Sequence, residues 1–168
     1  VYKRQVVPLL YALERYVLKQ ADQVSLTSDG FLEHFRAIDS RKDYRIFTNG
    51  IDDEFLQFDF RPQRAVSGIR EIIYAGNIGE GQGLDRIIPE AAKRLGPEWR
   101  FRVVGGGGKL RALEESTAGL DNVIIEPPMA RSELMERYRN ADVLFLHLND
   151  IPAFEKVLPS KLFEYGAT

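Results

Sequence analysis

In Glu71-Ile72-Ile73-Tyr74-Ala75-Gly76-Asn77-Ile78-Gly79-Glu80-Gly81-Gln82-Gly83-Leu84-Asp85-Arg86-Ile87-Ile88-Pro89-Glu90-Ala91-Ala92-Lys93-Arg94-Leu95 the apolar period changes once. Residues 71–75 read as a strand, because a short run of β-branched and aromatic residues is what burial on both faces of a sheet requires. Past a glycine-rich loop at 76–83, Leu84, Ile87, Ile88, Ala91, Ala92 and Leu95 recur at helical offsets and form one apolar stripe. Strand, glycine loop and amphipathic helix in that order make a βα unit.

The same alternation extends both ways. Downstream the pattern predicts a strand over 100–104, a glycine run at 105–108, a helix over 109–116 and a strand over 123–126. A helix over 133–140 with Ser132 as its cap follows, then a strand over 143–147. Upstream, Val6, Leu10, Leu13 and Val17 share a helical stripe over 2–20, with Pro8 expected in the first turn or at a kink. Short strands are expected over 23–27 and 44–47. Between them a helix over 30–38 carries Phe31 and Phe35, with Asp29 as its cap. Asn49-Gly50 marks a turn within Thr48-Asn49-Gly50-Ile51-Asp52. Strands alternating with helices predict an α/β, Rossmann-like, doubly wound parallel sheet, which binds ligands at the carboxyl ends of its strands. Those ends carry the loops 76–83, 105–108, 127–129 and 149–159.

A chain of 168 residues holds one domain, or one domain and part of another. Its 23 basic and 25 acidic side chains give a formal charge of -2, so no global field recruits nucleic acid. The absence of cysteine excludes disulfides and thiolate chemistry, and fits a reducing compartment. No apolar run approaches the roughly 20 residues of a membrane span, and no signal peptide is present, so the expected compartment is the cytoplasm.

Neither glycine loop has the spacing of the common phosphate-binding motifs. A dinucleotide fingerprint needs glycines at i, i+2 and i+5, and neither loop supplies them, which disfavours NAD. A Walker loop ending at Gly108-Lys109 needs glycine where Val103 stands, and a hydroxyl where Leu110 stands. A tight strand-to-helix turn is the plain alternative for both loops. His34 reads as a surface or edge histidine, and His147 ends a strand, where ligands gather. No histidine or acidic pair has metal spacing, so no metal is implied. Asp150, Glu155 and Glu164 all follow the last strand, but order alone does not make an acid-base pair.

Near the end, Glu155-Lys156-Val157-Leu158-Pro159-Ser160-Lys161-Leu162-Phe163-Glu164-Tyr165 opens a helix at Pro159 and Ser160, where free N–H groups favour an anion. Lys161 and Glu164, three apart, share a face, suited to a phosphate and to sugar hydroxyls respectively; an ordinary surface pair is the alternative. This stretch resembles the donor helix of retaining family 4 glycosyltransferases of the GT-B fold, in the bacterial polysaccharide branch. Ala21-Asp22-Gln23-Val24, Thr48-Asn49-Gly50-Ile51-Asp52, Ala75-Gly76-Asn77-Ile78, Val103-Val104-Gly105 and Asn140-Ala141-Asp142-Val143 resemble the same family, in its order.

The resemblance implies transfer of a sugar, with configuration retained, from a UDP- or GDP-linked donor to a polysaccharide or lipid-linked acceptor, with no separate cofactor. It further implies that residues 1–48 close an acceptor-side domain and that 49–168 are most of the donor-side one. The chain is then expected to be an internal piece, inactive alone, of an enzyme held at the inner membrane face through its other domain. Two glutamates seven apart face the donor in this family. Glu164 takes the ribose place, while the sugar place falls on Lys156, beside Glu155. An arginine and a lysine clamp the diphosphate in the family, and here those places hold Asn77 and Gln82. The candidate donor-binding residues are therefore Asn77, Gly79, Gln82, Met129, Glu155, Ser160, Lys161 and Glu164, and no catalytic residue is assigned. A sugar-nucleotide epimerase of the same build, or a non-catalytic nucleotide-binding domain, remain the alternatives.

Overall fold

The computed structural model describes residues 2–63 and 68–168, which form two compact units. One unit runs to Gly50 and takes in Pro152–Pro159; the other holds Ile51–Ile151 and Ser160–Thr168.

In the first unit, α1 (Tyr2–Gln20) leads into β1 (Gln23–Leu26), a 3-10 turn (Asp29–Phe31), α2 (Leu32–Ile38) and β2 (Asp43–Ile46). The two strands are parallel, with Gln23 opposite Asp43 and Leu26 opposite Ile46. Pro8 lies inside α1, beyond its first turn. Of the expected stripe, Val6, Leu10, Leu13 and Val17 are all about half exposed, and among the described side chains of α1 Leu18 is the one that is buried. Lys42 Nζ closes the end of α1 by donating to the carbonyls of Lys19 at 3.0 Å and Ala21 at 2.5 Å. The expected cap Asp29 is corrected to Ser28. Ser28 is extended (φ -151°, ψ 142°), so its Oγ accepts from Gly30 N at 3.3 Å, while Asp29 is already inside the turn. Residues 47–52 have no assigned turn at Asn49-Gly50.

The second unit begins with α3 (Asp53–Gln57), a helix that the apolar pattern did not announce, and continues with β3 (Arg70–Asn77), α4 (Leu84–Leu95) and β4 (Trp99–Gly106). Then come α5 (Leu110–Ser116), β5 (Val123–Glu126), α6 (Arg131–Arg139), β6 (Val143–Leu144) and α7 (Lys161–Gly166). The four strands form one parallel sheet in the order β5-β4-β3-β6. From β3 the chain steps outward to β4 and β5 and then returns to the far side of β3, so a topological switch point falls at the carboxyl end of β3.

Alternate residues of β3 feed two cores. Ile72 and Tyr74 pack with Ile78, Leu84, Ile88, Ala92, Phe101, Val103 and Leu113 under α4 and α5. Ile73 and Ala75 pack with Phe55, Val104, Met135 and Tyr138 under α3 and α6. On that second face Arg102, 9% exposed, is paired with Glu71 at 2.8 Å and Glu126 at 2.7 Å, so the charge in the sheet is matched by both neighbouring strands.

Among the expected boundaries that move, two have a visible cause. The strand over 143–147 shrinks to two residues: after Phe145 N donates to Ile73 O at 2.7 Å, the chain leaves β3 to engage the glycine loop instead. The cap of α6 is not Ser132, because the Ala130 carbonyl already accepts from Leu134 N at 3.0 Å and starts the helix ahead of it.

Candidate functional site

The carboxyl ends of β3 and β4 meet at two glycines whose positive φ strains any other residue. Gly105 (φ +151°) has the carbonyl of Gly76 where a Cβ would stand, and Gly76 (φ +142°) has the Lys161 ammonium there. Removing the side chains lets the two backbones close up and leaves a cleft of about 330 Å³ over them. Ala75, Gly76, Asn77, Val104, Gly105 and Gly106 form its floor, and Pro128, Met129 and Leu134 its apolar wall.

The glycine loop beside the cleft is fastened from both sides. The Gln82 side-chain oxygen accepts from Asn77 Nδ2 at 3.1 Å and from the Gly79 N–H at 3.2 Å. On the other side, three successive carbonyls are taken by the segment that leaves β6. Asn149 donates its side-chain amide to Glu80 O and its N–H to Gly81 O at 2.8 Å, and His147 Nδ1 donates to Gln82 O at 2.7 Å. The carbonyl partner assigns the proton to Nδ1 of His147, whose ring stacks on Phe145 with centroids 6.2 Å apart. Asn77 and Gln82 are thus clasped to each other. Lys109, at the end of the second glycine run, is committed elsewhere: its Nζ is 2.8 Å from Glu80, whose carboxylate raises the ammonium pKa, and 3.9 Å from Asp85.

α7 lies over the end of β3. Lys161 rests its ammonium on Gly76, 5.9 Å from the centre of the Tyr74 ring, and has no carboxylate partner among the described residues. One turn on, the Tyr165 hydroxyl accepts from Ala75 N–H at 3.4 Å, a donor left over where β6 has stopped pairing with β3. Its ring meets Tyr138 edge to face at 5.3 Å. Burial raises the pKa of all three tyrosines, Tyr74 to about 12 and Tyr138 far above the usual phenol range. Glu164 points to the start of α6, where Arg131 Nη2 lies 3.6 Å from its Oε1.

The structure therefore brings Asn77, Gly79, Gln82, Lys161, Glu164 and Met129 to one end of the second unit's sheet. Ser160 is exposed at the helix start and makes no side-chain cap, so the expected N–H cradle reduces to the start of a six-residue helix. Glu155 sits exposed in a 3-10 turn, Phe154–Lys156, of the first unit. Sequence reasoning missed Arg131, Tyr165 and the His147-Asn149 clamp. Tyr165 carried a readable signal, four residues after Lys161 on one helical face, and His147 was marked by its place at a strand end, although its grip on the glycine loop was not foreseen; Arg131 carried no signal.

No protein-family model matches the chain. It is 32% identical over 174 residues to WcaI of Escherichia coli K12, a protein assigned to colanic acid biosynthesis as a glycosyl transferase. That match covers 94% of this chain and 41% of the relative. Among solved structures, Anabaena HepE in complex with UDP and glucose superposes with a TM-score of 0.65 at 16% identity, over 88% of this chain and 42% of that one. The apo form of the lipopolysaccharide outer core galactosyltransferase WaaB superposes at 0.59 and 18% identity, over 87% and 42%. At such identities the likeness is one of fold: α/β with parallel sheets, like these GT-B glycosyltransferases. The chain spans about two fifths of the length of each of these proteins.

Proposed function

We propose that this chain carries the donor-side half of a retaining family 4 glycosyltransferase of polysaccharide biosynthesis, working in the cytoplasm at the inner membrane face. Residues 49–168 bind a UDP- or GDP-linked sugar, and residues 1–48 close the acceptor-side domain. The observation that carries this reading is Lys161, an ammonium without a carboxylate partner among the described residues, seated on Gly76 at the switch point. Similarity to WcaI and to the fold of HepE supports it.

In transfer, the bond from the sugar C1 to the diphosphate oxygen breaks, a bond from C1 to an acceptor hydroxyl oxygen forms, and the hydroxyl proton passes to the departing diphosphate. Lys161 acts on the first event, stabilising the charge that builds on the departing diphosphate. Glu164 accepts hydrogen bonds from ribose hydroxyls and holds the nucleoside. The donor is a substrate, and no cofactor takes part.

The clasp between Asn77 and Gln82 favours one second reading, a domain that binds nucleotide without turnover, since the loop offers no cation. Calorimetry of the chain with uridine, UDP, GDP and their sugar conjugates tests both. A diphosphate bound at least several-fold more tightly than its nucleoside is expected, because only the former presents charge to Lys161. Equal affinities, or no binding, would overturn the proposal; release of UDP or GDP from a conjugate excludes the second reading.

A further inference from the structure

α7 has six residues, and an isolated helix of that length is marginal in water, so the side chains it presents must be fixed by the rest of the unit. Glu164 is 27% exposed; its Oε1 faces Arg131 at 3.6 Å, while its Oε2 has no hydrogen-bond partner among the described residues. Arg131 is itself held on several sides. Asp52 pairs with it directly, Glu54 lies at 3.8 Å, and the centre of the Phe55 ring lies 4.9 Å from the guanidinium carbon. Phe55 is in turn buried among Ile73, Val104 and Tyr138, which ties this stack to the sheet. A planar guanidinium stacked on a ring and paired along its edge has little freedom left, so it can impose an orientation on one more carboxylate. A carboxylate offers about four lone-pair sites, and one long contact leaves most of them open.

We propose that Arg131 is a positioning residue, which orients Glu164 so that Oε2 meets the vicinal hydroxyls of a ribose. The inference rests on the nucleotide-sugar reading above and adds to it a residue that acts only through Glu164. Arg131 touches neither base nor phosphate, and this separates it from a direct contact and from a plain structural role.

The test is a double-mutant cycle on the whole chain, with uridine and UDP affinities measured by calorimetry for wild type, Arg131→Met, Glu164→Gln and the double variant. Arg131→Met is expected to weaken uridine and UDP by the same factor, about fivefold, and to add nothing in the Glu164→Gln background, the non-additivity of residues that act as one. Unchanged affinity in Arg131→Met overturns the proposal. So does an equal loss in both backgrounds, which makes Arg131 a support of the fold, and so does a larger loss for UDP than for uridine, which makes it a phosphate ligand. If Arg131→Met does not fold, Arg131→Lys carries the same cycle: lysine lacks the planar fork, so a loss of about twofold confined to the Glu164 background is expected, and no loss overturns the proposal. Wild type that binds neither ligand removes the nucleotide reading itself, whereas wild type that binds both with a silent Arg131→Met removes only this inference.

Discussion

Lys161 and Glu164 are neighbours on one helical face by spacing, yet they look to different surroundings, and the difference decides what each variant does. Lys161 faces Gly76 and the Tyr74 ring, where its charge, without a carboxylate partner among the described residues, is available to a phosphate. Lys161→Met should weaken UDP by about tenfold or more and leave uridine nearly unchanged, since a charge-assisted hydrogen bond is worth roughly 1.5–3 kcal/mol. Asn77→Ala and Gln82→Ala should each do less, because their amides are spent on each other and on Gly79. Calorimetry with both ligands separates these cases, and equal losses for UDP and uridine in Lys161→Met would reduce Lys161 to a packing residue. Glu164→Ala should weaken both ligands alike, by about tenfold, if its carboxylate serves the ribose; an unchanged uridine affinity would leave it only its pairing with Arg131. The spacing of Lys161 and Glu164 was legible in the chain. Their partners were not: Gly76 and Arg131 lie far from them in sequence, and helical periodicity relates only residues within a few turns.

Among the elements, α4 shows why long periodic segments read well. Its stripe of Leu84, Ile88 and Ala92 is buried as the period requires, and Leu95, at the last turn, is the member that stays largely exposed. Gly96, with φ +69°, ends the helix and donates its N–H to Ala92 O at 3.1 Å; the side chain that seconds it could not be read. Asn122 Nδ2, on the approach to β5, lies 3.0 Å from Ala92 O, 2.9 Å from Gly96 O and 3.2 Å from Trp99 O, so one amide ties the end of α4 to the start of β4. Asn122→Ala leaves these carbonyls without that donor and should lower the stability of the second unit by about 1–3 kcal/mol, read as a shift of the urea midpoint with an unchanged slope. A shift within error would mean that water replaces the amide. β5 coincides with its sequence reading because its apolar run is bounded on both sides by turn residues. β6 does not, because a strand pattern records which residues suit a sheet and not where the neighbouring strand stops. α3 escaped notice since five residues display barely one helical period, although its Phe55 is among the most buried side chains.

At the scale of the whole molecule the second unit carries a response to alkaline pH of its own. The second holds Tyr74, Tyr138 and Tyr165 around the end of β3, each with its pKa raised first of all by burial. In the unfolded chain a tyrosine loses its proton near pH 10, whereas Tyr74 in the fold keeps it to about 12. Between these values the native state binds more protons than the unfolded one, so stability falls as pH rises; the contribution is intact below pH 10 and is lost through the folded pKa. Each tyrosine still protonated in the fold adds a slope of about 1.4 kcal/mol per pH unit across that window. Trp99, the single tryptophan, lies in β4, so its fluorescence follows the second unit alone. Urea midpoints followed by this signal should be flat up to about pH 9.5 and then decline, and in Tyr138→Phe the decline should be shallower by about one such slope. An unaltered decline in Tyr138→Phe would mean that its hydroxyl titrates in the fold as it does in the unfolded chain, and that the tyrosine cluster beneath α7 is open to water.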